Sequence, residues 1–228
     1  RACVSLLVHR SQRDMTDASP DAMTDPASAP AGKGKPKPGQ RRMEILQAFA
    51  AMLEQPMAER VTTAALAKRL GVSEAALYRQ FASKSQMLDA LITFTEDSLL
   101  GLATKVNSDP DKLVDGRAAC GQVVWLALQF AQANPGMVRV LVGDALIYEQ
   151  PRLMARVSLL FDKLESILRA HWRSSALAAN EGAPTAEAQM RAGPLLMCLR
   201  GRLHAFVRSD WKQRPTDGAA EELAFLIA

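Results

Sequence analysis

The chain has 228 residues, 48% of them hydrophobic, with 28 Lys/Arg against 24 Asp/Glu. That length accommodates one or two domains with a sizeable core, and its apolar runs, such as Val123 to Leu128, are far too short to cross a bilayer. Cys3, Cys120 and Cys198 are odd in number, widely spaced and unaccompanied by histidines at ligand spacing, which argues against a disulfide framework and a zinc site and fits a reducing cytoplasm. The net charge of +4 is unevenly placed: residues 1–90 carry 13 Lys/Arg against 9 Asp/Glu, and residues 91–228 carry 15 of each.

In chain order, residues 1–40 hold Pro20, Pro26, Pro30, Pro36 and Pro38 among Ala, Ser and Asp without apolar periodicity, and are expected to be a disordered arm. Its start, "VSLLVH", is too short for a signal peptide, and Met15 and Met23 are alternative starts. Lys33, Lys35, Lys37, Arg41 and Arg42 form a basic run without an acid, which is either a solvated linker or an arm that neutralises phosphates. From Arg41 onward leucines and alanines recur at three- and four-residue spacing, which predicts an all-α protein.

Ile45, Leu46, Phe49 and Leu53 make the apolar face of a first helix that ends by Pro56. A second helix follows with Thr63 as N-cap and Leu66 and Leu70 inward, and Gly71 supplies the backbone freedom for a sharp turn that Val72 plugs from the apolar side. Ser73 caps a third helix of about two turns. Leu77 and Phe81 point inward from it, and Ala75, Tyr78 and Arg79 emerge on another face. Ser83 and Gln86 form a capping-box pattern for the next helix. Lys84, in its first turn, opposes the helix dipole, so an outside anion such as a phosphate is expected beside it. Two short helices around a glycine turn describe a helix-turn-helix unit whose second helix enters a major groove.

Asn134-Pro135 predicts an N-cap and a proline at the first position of a helix running through Ile147. Leu153, Val157, Leu160, Leu164 and Ile167 have coiled-coil-like spacing. Leu195, Leu196, Leu199, Leu203, Phe206 and Val207 form another apolar stripe. Each stripe fits ordinary core packing, but a single helix-turn-helix reads too little DNA, so one of them is expected to pair across a two-fold axis; Leu196, Leu199, Leu203 and Phe206 are the candidates. His204, on this helix, is expected in the core or the interface. No acidic pair, nucleophile elbow or Walker sequence is present, so no catalytic residue, metal ligand or cofactor is assigned.

The stretch "TTAALAKRLGVSEAALYRQFASKSQML" resembles the DNA-binding domain of the TetR family. The resemblance implies an N-terminal three-helix domain over 41–90 and a helical dimerisation domain over 91–228. It places Gly71 and Val72 in the turn, and Thr62, Thr63, Tyr78 and Lys84 on phosphates. Ser73, Glu74, Ala75 and Arg79 then lie nearest base edges, with Arg41 and Arg42 adding charge. "ALITFTEDSLL", "NPGMVRVLVGDALIYEQPRL" and "FVRSDWKQRPTD" resemble the nucleoid-occlusion branch of that family. This implies a cytoplasmic, nucleoid-associated homodimer, alone or several to a site, on palindromic chromosomal DNA. Such a dimer antagonises assembly of the tubulin-like division protein FtsZ, with no membrane or small-molecule effector involved. The FtsZ tail is expected between the helix at 85–106 and the next at 113–133, with Phe94, Leu126 and Asn134 in matching positions. Leu102 and Ala133 stand where the branch carries arginines, and Gln129 where it carries a small residue. The alternatives are a ligand-responsive repressor and a generic nucleoid-associated protein.

Overall fold

The computed structural model describes residues 39–55, 61–106, 115–179 and 182–228, and every regular element among them is helical. The expected arm, with Lys33, Lys35 and Lys37, lies outside the described residues except at its last two positions.

Helix α1 (Gln40–Leu53) buries Ile45, Leu46, Phe49, Ala50 and Leu53, the face its spacing predicts. Helix α2 (Thr63–Leu70) is capped by Thr62, whose Oγ1 accepts from Ala65 N at 3.1 Å. The cap therefore lies one residue before the expected Thr63, because Thr62 holds the extended backbone and Thr63 is already helical. Gly71 ends α2 in the left-handed region (φ 64°). Its N–H bonds to Lys68 O, and Val72 N–H reaches Ala67 O, the double bond of a Schellman turn. A side chain at Gly71 would be strained there. Helix α3 (Glu74–Tyr78) is five residues long, shorter than the two turns expected. Its Leu77 and the following Phe81 are wholly buried.

Helix α4 (Lys84–Lys105) joins these helices to the rest. Ser83 caps it by accepting from Gln86 N at 3.2 Å, and Gln86 Oε1 reaches back to Ala82 N at 2.9 Å, one residue beyond the usual capping-box donor. Helices α5 (Gly116–Ala133) and α6 (Pro135–Leu141) follow, then one 3-10 turn at Asp144–Leu146. The single helix expected through Ile147 is broken because Gly143 adopts φ 90°. Asn134 does not cap α6 with its side chain; its amide instead donates to Phe130 O at 2.7 Å and closes the end of α5. Helices α7 (Pro151–Ala178) and α8 (Pro184–Arg208) form an antiparallel hairpin, and α9 (Ala219–Ile227) folds back over α5 and α8. Trp172, wholly buried, sits where α5, α7 and α8 meet, with the guanidinium groups of Arg117 and Arg191 5.4 and 5.3 Å from its ring centre.

The two C-terminal leucine stripes face each other and the body of the same chain. Leu196, Leu199, Leu203 and Phe206 are each at most 3% exposed, so they are core residues and not the free dimer surface expected of them. The residues α8 turns outward include Met190 (69% exposed), Met197 (54%), Arg200, Gly201 and His204.

Two of the three stretches that resemble the nucleoid-occlusion branch, those holding Gly136 and Trp211, converge on the end of α1. Gly136 packs so closely that a Cβ built on it would lie 2.2 Å from Ala50 O. Arg139 Nη1 donates to Gln55 O at 2.8 Å, and Trp211 Nε1 to Glu54 O at 2.7 Å. Asp210 and Trp211 hold positive φ (48° and 67°), which turns the indole towards α1. The Arg139 guanidinium lies 5.4 Å from the Trp211 ring, and the Phe206 ring meets Trp211 edge-on at 5.0 Å.

Candidate nucleic-acid interface

The outward surface of α2 and α3 is built from side chains that also hold one another. Thr63 Oγ1 donates to Glu74 Oε2 at 2.8 Å and lies 3.3 Å from the Tyr78 hydroxyl, tying the two helices together on their exposed side. Ser73 Oγ accepts from Ala76 N at 3.2 Å as the cap of α3. Ala75, Tyr78 and Arg79 are exposed beside them, as the sequence predicts. Arg42 is engaged behind this face: its guanidinium stacks 3.9 Å from the Phe81 ring centre and donates to Gln80 O at 2.7 Å, locking the exit of α3. Arg41 pairs with Glu44 at 3.0 Å.

Lys84 has a partner that its position in sequence does not announce. Its Nζ lies 2.9 Å from Glu149 Oε1, and Ser85 Oγ donates to the other carboxylate oxygen at 3.3 Å. The unfavourable placement of a cation in the first turn of α4 is thus offset within the chain, and the dipole argument no longer requires a phosphate. This pair is the first rung of a polar ladder. Arg156 Nη1 bonds to Asp89 Oδ1 at 2.8 Å, Arg156 Nη2 to Thr93 Oγ1 at 3.2 Å and Glu96 Oε2 at 3.1 Å, and Lys163 pairs with Glu96. Glu149, Arg156 and Lys163 are spaced by seven, the repeat of one helix edge, although Glu149 precedes α7. The hydrogen bond from Lys163, reinforced by Arg156, holds the Glu96 carboxyl below its ordinary range.

Between α4 and α5, Phe94, Leu102 and Leu126 are half-buried, Ala133 is half-buried and Gln129 is exposed. Asn134 is 0% exposed, so it shapes the end of α5 from inside and does not line the surface as expected.

A short exposed helix on a glycine turn, carried by an all-helical body, defines a DNA-binding regulator. Residues 45–91 match the bacterial regulatory proteins of the tetR family, and residues 117–228 match the tetracyclin repressor-like C-terminal domain of SlmA type. The nucleoid occlusion factor SlmA of Shewanella amazonensis is 46% identical over 186 residues, covering 82% of this chain and 92% of that protein. SlmA of Escherichia coli O1:K1 is 46% identical over 178 residues, 78% of this chain and 88% of that one. A solved structure of the TetR family regulator PfmR from Thermus thermophilus has the same fold, with a TM-score of 0.62 at 20% identity over 82% of this chain and 95% of that one. The chain belongs to the TetR family of regulatory proteins, in its SlmA branch.

Sequence reasoning found the helix-turn-helix and its exposed residues and missed the contacts of Glu149, Gly136, Arg139, Arg156 and Trp211. The seven-residue charge spacing was a readable signal for Glu149 and Arg156; for the others the partner is a main-chain oxygen, which leaves no mark in the sequence.

Proposed function

We propose that this chain is a nucleoid-occlusion factor of the cytoplasm: bound as a dimer to chromosomal palindromes, it antagonises FtsZ assembly over the nucleoid. The identity to SlmA proteins over four-fifths of the chain carries this reading. Thr62, Thr63, Tyr78 and Lys84 contact phosphates, and Ser73, Glu74, Ala75 and Arg79 lie nearest base edges. One helix serves both activities, since α4 starts at Lys84 beside the recognition unit and carries Phe94 in the half-buried strip beside α5. The FtsZ tail docks there on apolar contacts, because Leu102 and Ala133 offer no cation to an acidic segment.

Pelleting of FtsZ polymers tests the reading, with a palindromic duplex selected from fragments of the source chromosome. Antagonism should require that duplex, and Phe94→Ala should lose it while keeping DNA affinity and most of its thermal stability. Equal antagonism on random DNA, or an unaffected Phe94→Ala, would refute the mechanism.

The second copy sits on the outward face of α7 and α8. The exposed residues there include small and apolar ones, Ala155, Ser158 and Ser166 on α7 and Met190, Met197 and Gly201 on α8, beside polar ones such as Gln189, Arg200 and His204, and the small residues allow two hairpins to approach closely. The surface cleft of about 310 Å³ lined by Ser166, Arg169, Arg173 and Gln189 opens on the same side. Met197→Glu should convert the dimer to monomer in sedimentation at micromolar concentration, whereas an undisturbed dimer would place the interface elsewhere.

A further inference from the structure

Glu149 belongs to the C-terminal body, yet its carboxylate is held against the cation that begins α4 beside the recognition unit. The pair is not a loose surface contact: the Glu149 side chain is 9% exposed and that of Lys84 20%. Ser85 and the rungs at Arg156 and Lys163 keep the two helices in the register that brings them together. A lysine ammonium has three donors, and the carboxylate occupies one direction, so Lys84 is able to meet an outside anion without leaving Glu149. What it then presents to that anion is a pair of zero net charge instead of a full cation.

We propose that Glu149 is part of the DNA-binding site, acting as an attenuator that sets the sequence-independent component of affinity by neutralising Lys84. Affinity for arbitrary DNA arises almost entirely from cations that displace counterions from phosphates. With many competing sites on a chromosome the choice of site follows the ratio of specific to non-specific affinity, whereas a charge of this kind sets how tightly DNA of any sequence is held. Because Glu149 faces Lys84 and not the bases, its charge acts on operator and random duplex alike. It leaves their ratio unchanged while lowering both affinities. The inference rests on Lys84 meeting a phosphate.

The experiment is a salt titration of binding to the selected palindrome and to a random duplex of equal length. Glu149→Gln keeps the acceptor for Ser85 and removes the charge. It should steepen the log–log salt slope by up to about 1.8 for the dimer, 0.9 per protomer, and tighten both duplexes by roughly 10–30-fold near 0.15 M salt. In a Lys84→Gln background the same change should do nothing. If Glu149→Gln does not fold, Glu149→Asp, which draws the carboxylate back from the ammonium, should move the slope in the same direction by less. Weaker binding would make Glu149 an orienting group for Lys84 and overturn the proposal, as would an unchanged slope. The underlying reading fails separately: it is wrong if, in the Glu149→Gln background, Lys84→Gln leaves the steepened slope where it was.

Discussion

Gly136→Ala should cost about 3 kcal/mol and lower the melting temperature by roughly 6–12 °C, a large loss for one methyl group. The added Cβ would lie 2.2 Å from Ala50 O and 3.0 Å from Ala50 C, both main-chain atoms of α1 that no rotamer change can move. α6 would have to retreat from α1 by about an ångström to restore ordinary contact, and the bonds from Arg139 to Gln55 O and Trp211 to Glu54 O stretch with it. Alanine regains up to ~1 kcal/mol of helix propensity, which the clash outweighs. Gly101→Ala in α4 is the control: nothing lies within 4 Å of its Cβ position, so it should gain about 0.5–1 kcal/mol. Thermal unfolding of both variants decides the point, and a stabilised Gly136→Ala would show that α1 and α6 are not in this contact.

Trp211→Ala should lose about 3 kcal/mol, within the range for truncating a large packed aromatic. The change removes the hydrogen bond to Glu54 O, the edge contact with Phe206 and the cation beside the ring, while leaving the backbone at φ 67°. That left-handed backbone costs a non-glycine residue about 1–2 kcal/mol, offset in the native chain by the contacts of the indole. Trp211→Gly should therefore be less damaging than Trp211→Ala by about 1 kcal/mol, the reverse of the order expected within a helix or strand. The two melting curves measure the difference, and equal or inverted values would mean that the turn relaxes once the indole is gone.

The helix-turn-helix was legible because its determinants are local. Gly71 and Ser73 act on residues within five positions of themselves, so residue type and spacing contain the answer. Thr62 and Thr63 show the limit of that logic, since both can cap and only the backbone conformation, extended at Thr62 and helical at Thr63, chooses between them. The leucines of α8 were misplaced for a different reason. A seven-residue stripe looks the same whether its partner is a helix of the same chain or of a second copy, and here the hairpin with α7 takes it. The partner of Lys84 was missed for a third reason, because the carboxylate that answers its charge comes from across the fold.

The length of α4 makes it a lever. At 1.5 Å per residue its 22 residues span about 33 Å, so a tilt of about 5° about one end swings the other by about 3 Å. In a dimer, two recognition helices must meet successive major grooves about 34 Å apart, and an error of that size at each would forfeit base contacts. The rungs from Lys84–Glu149 to Glu96–Lys163 clamp the first half of the lever to α7 and the turn before it, so its angle cannot change without breaking ion pairs in order along its length. The angle at which each recognition helix is held therefore depends on ion pairs well along the lever from it, those of Asp89 and Glu96 with Arg156 and Lys163.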